Sequence, residues 1–333
     1  MPYSDLGSQM QRRDFIILLG GAAAAWPTAA LTQQSYSQIR ICQLFLGGQE
    51  HLARALETRL QELGYVNGKN IRLRNVFVAP QPKAIEDKIT EVLPETDVLV
   101  VWSTVASVAA KKVAQSIPIV FLSVGVPVDI GLVASLNRPG GNMTGVTFEA
   151  ATETYGLRLQ MLKEIIPKIR NVAVLKAKGD PNVVHAIAAL EKAAPSLGIQ
   201  LIEYEAKSSD DLPALFQEIE QGKADGLISI AGAFTFANST KIALLTLQHR
   251  LPSCHGFRDT VVAGGLISLG PDMGAIAIEG ANYVAKILRG AKPADLPVEQ
   301  PTKMEVVINL KTAKTLGLDI PATLLGRADE VIE

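Results

Sequence analysis

Short apolar runs rich in β-branched residues alternate with amphipathic helical patterns from Ile39 onward, and the series occurs twice. In the first half, strand-like runs at 39–46, 71–78, 97–102 and from Ile117 to Leu122 are separated by helical patterns at 50–63, at 82–93 and, after Ser103 and Thr104, through Ala114. Leu52, Leu56, Leu60 and Leu63 share one helical face, and Gly64 stops that helix. The run from Ile117 has the length and β-branched content of a strand buried on both faces of a parallel sheet. It ends in Ser123, Val124, Gly125, Val126 and Pro127, through which no helix continues. A break at 138–142 then leads to a second β-branched run, Thr144 to Phe148, which reads as the crossing between lobes.

After that crossing the order returns. A helix over 152–166 precedes a strand at 171–176, a Gly-Asp-Pro break at 179–181, and a helix to Leu197 that Gly198 stops. A strand at 199–205, a helix at 210–221, a strand at 225–230 and a helix at about 237–249 follow. Leu251-Pro252-Ser253 then echoes Ile117-Pro118-Ile119. A strand-like piece at 266–269 turns at Gly270-Pro271-Asp272 into a long helix, 273–288. A Pro-rich linker, a run at 304–310 and a short helix near Lys311 close the chain. Right-handed crossovers make each half a parallel sheet covered by helices. The fold class is therefore α/β: two doubly wound parallel-sheet lobes with a hinge and an interlobe cleft. Lobe 1 is expected over 39–148 plus about 270–300, and lobe 2 over 152–268 plus about 304–333. A chain of 333 residues is long enough for both.

Composition narrows the partner. A net charge of −1 and the lack of a basic patch with interleaved aromatics give no case for nucleic acid. The expected partner is a small molecule. Cys42 and Cys254 fall in strands of different lobes and read as buried hydrophobes, not as a disulfide. At the amino end, Arg12 and Arg13 precede Phe15, an apolar Gly- and Ala-rich stretch, Trp26-Pro27 and small residues to Ala30. That order matches a secretory leader of the twin-arginine type over 1–32, with Met10 as an alternative start. The apolar stretch is too short to span a bilayer.

No Rossmann glycine fingerprint, Walker lysine loop or nucleophile elbow occurs, and His51, His185, His249 and His255 are scattered over different elements. The expectation is a protein without catalytic residues, metal or cofactor. A ligand would be held at strand exits. Ser103 and Thr104 stand where a strand feeds a helix, so their hydroxyls and the free amides of the first turn suit a carboxylate. Ser123, with Val124, occupies the equivalent exit of the fourth strand, and Leu46 and Gly47 that of the first. Phe148 at the crossing, Phe234 and Phe236 after the 225–230 strand, and Phe257 beyond Gly256 offer surfaces for an apolar or aromatic body. His255 stands at a strand end, and Arg258 is a possible carboxylate partner.

Several unlike motifs occur in one order: I-P-I-V-F, S-V-G-x-P-V, G-L-V-A-S-L-x-R-P-G-G-N-x-T-G, G-F-R, A-G-G-L-I-S-L-G-P, K-P-A-D-L-P-V-E-Q-P-T-K and I-N-L-K-T-A-K-x-L-G-L. Over about 39–333 this series closely resembles the ABC transporter substrate-binding proteins of the tryptophan/tyrosine-type family. The resemblance implies a type I periplasmic binding-protein fold and a monomeric periplasmic receptor that hands a small solute to an inner-membrane ABC permease. It implies no chemistry on that solute. The alternatives are a ligand-binding sensor for a membrane signalling partner and, less expected, an exported enzyme.

Three departures bear on the ligand. Val126 stands where the family often has an acid, Lys176 stands near a segment that is usually Trp-Asn-Pro-like, and Leu269 replaces a frequent Tyr. Together they favour an aromatic or aliphatic carboxylate at least as much as an aromatic amino acid.

Overall fold

The computed structural model describes residues 38–47, 50–149, 153–301 and 303–333. The leader expected over 1–32 lies outside them.

The first sheet has five strands in the order β2-β1-β3-β4-β5, all parallel. They are β1 (Ile39–Phe45), β2 (Ile71–Phe77), β3 (Val98–Trp102), β4 (Ile119–Gly125) and β5 (Met143–Glu149). Alternate residues of each strand face opposite layers. Ile41 and Phe45 of β1 pack with α1 (Glu50–Glu62), whereas Cys42 and Leu44 pack with α2 (Pro82–Val92) and α3 (Thr104–Val113). Both faces are thus apolar, which is why these strands read as continuous runs and not as alternations. Each side chain fully withdrawn from water at these layers contributes about 1.5–3 kcal/mol.

The second sheet holds seven strands in the order β12-β11-β10-β9-β8-β6-β7. In chain order these are β6 (Asn171–Ala177), β7 (Gln200–Ala206), β8 (Gly226–Ser229), β9 (Ser253–His255), β10 (Ile267–Pro271), β11 (Met304–Asn309) and β12 (Glu330–Ile332). Helices α4 (Glu153–Ile165) and α5 (Val183–Leu197) cover one face, with Leu159, Leu162 and Leu190 in the core. On the other face lie α6 (Leu212–Gln221) and α8 (Ser239–Gln248); α7 (Ala233–Ala237) and α9 (Arg258–Val262) are short turns of helix at strand exits. The expectation of two wholly parallel sheets fails at one pairing, because β10 and β11 run antiparallel. Between them the chain leaves the second sheet, forms α10 (Met273–Leu288), and returns from the other side.

Helix α10 packs on α1, β4 and β5, so Ile276, Ala277, Ala281 and Val284 complete the core of the first sheet. The segment after it runs beside β5: Glu299 donates to the Gly145 carbonyl at 3.0 Å and Thr147 donates back to Glu299 at 2.9 Å. The 144–148 run, read above as the crossing, is therefore a buried strand of the first sheet. The chain passes from the first sheet to the second after β5, back again after β10, and returns before β11. The remaining helices α11 (Leu310–Leu316) and α12 (Ala322–Leu325) pack on the second sheet.

Cys42 and Cys254 are buried free thiols, raised by burial to about 11 and about 12. Among the described residues no helix is long and apolar enough to cross a membrane.

The β9 and β10 backbones approach closely where the chain leaves the second sheet. A Cβ on Gly270 would fall 1.9 Å from the Gly256 carbonyl oxygen, a backbone atom and not the end of a flexible side chain. We expect Gly270→Ala to cost about 2–3 kcal/mol of stability, read as a lowered urea midpoint. An unchanged midpoint would show that this approach is slack.

Candidate functional site

The carboxyl ends of the two sheets face each other, and the residues there have unusual backbone. Among the described residues, Ser103, Ser123, Val126, Lys223 and Arg250 are the non-glycines with positive φ, and three of them stand at the exits of β3 and β4. Such conformations cost on the order of 1–3 kcal/mol each and persist where the surroundings enforce them. Ser123 sits at a register shift between Leu122 and Val124 against β5. That bulge turns Ser123 toward the space beyond the strand, while Val124 stays in the core. Ser103 caps α3: its Oγ accepts from the Ala106 amide at 3.4 Å and its carbonyl accepts from Ser107. The cap uses the hydroxyl oxygen as acceptor and leaves its proton free to donate elsewhere.

Ser103, Thr104, Ser123 and Phe148 of the first sheet form one wall of a narrow cavity of about 10 Å³. Gly232, Ala233, Phe236 and Phe257 of the second sheet form the other, and Met273 closes the base. Phe257 meets Phe148 across the gap with ring centroids 6.2 Å apart and Phe236 edge-on at 5.0 Å. The lobes are also bridged by hydrogen bonds. Asn182, at the start of α5, donates its Nδ2 to Thr104 Oγ1 at 2.9 Å, and the same oxygen accepts from the Gly125 amide at 3.1 Å. Gly125 has to be glycine for this, since a Cβ there would fall 2.4 Å from Asn182 Oδ1.

A second, larger recess of about 260 Å³ shares Ala233 as a wall and opens toward solvent. Pro80, Pro82 and Val105 line it from the first lobe, and Phe234 and Asp180 from the second. Asp180 Oδ1 accepts from the Asn182 amide at 2.9 Å, and burial raises its carboxyl to about 6.

Beneath both recesses lies a buried ion pair. Arg158 of α4 stands 3.3 Å from Glu149, donates through Nε to the Leu269 carbonyl at 2.9 Å, and lies over the Tyr155 ring at 4.5 Å. Burial pushes the Glu149 carboxyl and the Tyr155 phenol upward, and the guanidinium opposes this at Glu149.

The structure thus brings Ser103, Thr104, Ser123, Phe148 and Phe257 into one cavity and places Phe234 in the adjoining recess. Gly256 lies behind the wall, its α-carbon close against Ala231, where no Cβ would fit. The other expected residues lie elsewhere. Leu46 is core beside α2 and α3, and Gly47 ends β1 at φ 84° without lining either cavity. Lys176 reaches the neighbouring strand, where Glu203 accepts from it at 2.5 Å, so its charge is neutralised away from the cavity. Leu269 packs in the second core, so no phenol is missing from the cavity at that position. His255 is fully buried between Ser229 and Ser253, 2.9 Å from each hydroxyl. Arg258 forms a two-pronged pair with Glu330 on the surface.

Asp180, Asn182, Gly232 and Met273 were not foreseen. The repeat held a signal for the first two: Gly179 to Asn182 follows β6 as Ser103-Thr104 follows β3. Among the described residues no group of three or more His, Cys, Asp or Glu could hold a metal ion.

Comparison with known proteins gives a consistent result. The family model described as ABC transporter substrate binding protein matches residues 48–332. A tyrosine-binding protein of Clostridioides difficile is 24% identical over 264 residues, 78% of this chain and 74% of that protein. A conserved domain protein of Vibrio cholerae superposes with a TM-score of 0.82 at 28% identity, covering 88% of this chain and 99% of its own. A Streptococcus pneumonia ABC domain in complex with L-Trp also gives 0.82, at 20% identity, covering 89% and 100%.

One consequence of the geometry is testable by pH. Burial, and then the Arg158 charge, push His255 from 6.5 down to about 3. The unfolded chain takes up that proton below about 6.5 and the folded one only near 3, so this group removes stability as pH falls through that window. Asp180, raised from 3.8 to about 6, acts in the opposite sense, so the comparison has to be between variants. We expect His255→Gln to flatten the acid-side loss by on the order of 2–4 kcal/mol in urea unfolding at pH 4 against pH 7. Parallel profiles for the two proteins would contradict it.

Proposed function

Because this chain belongs to the family of ABC transporter substrate-binding proteins, we propose that it captures a small organic solute in the cleft between its two lobes and delivers it to a membrane permease. The fold is that of type I periplasmic binding proteins, two α/β lobes with parallel sheets. The family is one of binding proteins and not of enzymes. The carrying observation is the convergence of three hydroxyls, Ser103, Thr104 and Ser123, at the amino end of α3, facing Phe148, Phe236 and Phe257 across the cavity. Hydroxyl donors and the free amides of a ten-residue helix suit an anionic oxygen, and the rings suit an apolar body. The solute is thus an aromatic amino acid or an aromatic or aliphatic carboxylate. The tyrosine and L-Trp named for two relatives agree with a carboxylate beside a ring.

The cavity of about 10 Å³ closed by Asn182–Thr104 and Phe148–Phe257 is too small for an organic solute as it stands and admits one only when the lobes part. In this reading, 39–148 with about 270–300 moves against 152–268 with about 304–333. The twin-arginine leader exports the chain to the periplasm, where it acts as a monomer.

The test is thermal melting of the purified protein against aromatic amino acids, aryl carboxylates and short aliphatic acids. A ligand present at about 100 times its Kd stabilises the folded state by about 2.7 kcal/mol. We expect a rise with at least one acid, and about a tenfold weakening in Ser103→Ala and Ser123→Ala. A flat response across the panel, or a response that both variants keep in full, would refute the reading.

A further inference from the structure

The inner cavity and the outer recess adjoin along the chain of both lobes. Ser103 and Thr104 line the first and Val105 the second; Gly232 lines the first, Phe234 the second, and Ala233 both. A solute held by its acid at the amino end of α3, with its body beside Phe148 and Phe257, therefore has a continuation of about 260 Å³ for its far end. What that end meets is set by the turns after β6 and β7.

Ala177 and Ala206 are register partners, and the ladder runs one residue further, with the Lys178 amide donating to the Ala206 carbonyl at 2.9 Å. Lys178 and Lys207 thus leave adjacent strands side by side, and both line the recess. Like charges opposite one another on neighbouring strands repel. Among the described residues neither lysine forms an ion pair, although Lys176, just before them on β6, is paired with Glu203. A third cation stands close by. Lys241 of α8 donates to the Ser209 carbonyl at 2.6 Å and to the Ser209 hydroxyl at 3.3 Å, and it too forms no ion pair.

No nearby acid answers these charges. Glu205 of β7 is exposed and pairs with none of them. Asp211 accepts from the Lys207 and Ser208 amides at 2.8 Å each. Asp180, the one acid among the residues lining the recess, turns inward: one oxygen accepts from the Asn182 amide, and the other rests against Gly232, where a Cβ would fall 2.1 Å away. The walls at Pro80, Pro82, Val105 and Phe234 are apolar.

We propose that Lys178, Lys207 and the recess they rim form a second anion subsite, which takes the far end of an elongated solute bearing an acidic group at both ends. The far group is a carboxylate, or a sulfate or phosphate ester. This rests on the interlobe cleft being the binding site. Apolar walls suit the spacer, and the long lysine stems lie along such walls while their ammonium groups turn to the charge at the mouth. Pro80 and Val105 belong to the first lobe and the lysines to the second, so a solute of this kind touches both lobes along its whole length.

The experiment is isothermal titration of the wild type, Lys178→Gln/Lys207→Gln and Lys178→Arg/Lys207→Arg with matched probes. 3-Phenylpropanoate and L-phenylalanine lack a far acid, whereas 3-(4-carboxyphenyl)propanoate and 4-carboxy-L-phenylalanine carry one. 3-(4-Carbamoylphenyl)propanoate has the same shape without the far charge. We expect the wild type to bind a far-acid probe about tenfold more tightly than its parent and than the amide, the size of two part-exposed ion pairs. That advantage should shrink as salt is added. Lys178→Gln/Lys207→Gln should lose it while binding the parents as before, and Lys178→Arg/Lys207→Arg should keep it. A merely structural role would change all probes alike, with no dependence on the far charge. Equal wild-type affinity for far-acid probes and their parents, or a preference that survives in Lys178→Gln/Lys207→Gln, overturns the subsite and leaves the cleft reading standing. Binding of no probe overturns both.

Discussion

The arrangement of the two lobes depends on a charge that has no access to water. Arg158 is fully buried, and its guanidinium keeps its proton in any protein environment. Desolvation of such a group costs several kcal/mol, which only close, well-oriented partners offset. Here the partners are Glu149, the last residue of β5 before the chain crosses, and the Leu269 carbonyl, two residues before it crosses back. One side chain from the second lobe thereby grips both connecting strands. Removing Glu149 alone would leave the guanidinium uncompensated, which in buried pairs costs about 3–5 kcal/mol. The two strands are therefore tied to one another through a single side chain.

That constraint places the site. Because the strands are clamped beneath it, the exits of β3 and β4 face those of β6, β8 and β9 at fixed height, and the strained Ser103 and Ser123 conformations are held by packing on both sides. Each lobe brings chemistry to the gap. Donors at the amino end of α3 come from the first, the lysines at the exits of β6 and β7 from the second, and rings from both.

Most of the strand and helix order could be read from the chain because strands covered on both faces are apolar throughout and glycines such as Gly64 and Gly198 end the helices. What could not be read was pairing. The antiparallel β10–β11 contact joins segments that flank a whole helix, and the 144–148 run looks like a connector until the 298–299 segment lies along it. The same holds within the site. Ser103, Thr104 and Ser123 are visible as strand exits, a local property. The fate of Lys176 depends on Glu203, 27 residues away, and that of His255 on Ser229, which only the β8–β9 register brings beside it. Asp180 and Asn182 were hidden differently, inside a turn whose glycine and proline suggest nothing more than a chain reversal.

Helix α10 carries a consequence for how the molecule is made. It supplies one covering layer of the first sheet, yet it follows nearly the whole of the second lobe in the chain. During synthesis the amino-terminal sheet emerges early with its α1 side only partly covered, and Leu122, Val146 and Phe148 stay without their eventual neighbours Ile276, Ala277 and Val284. The first lobe to be translated is thus among the last parts to be finished. A nascent chain that stops short of Met273 presents a sticky apolar face to whatever attends the ribosome, and sequence order and folding order diverge from the start.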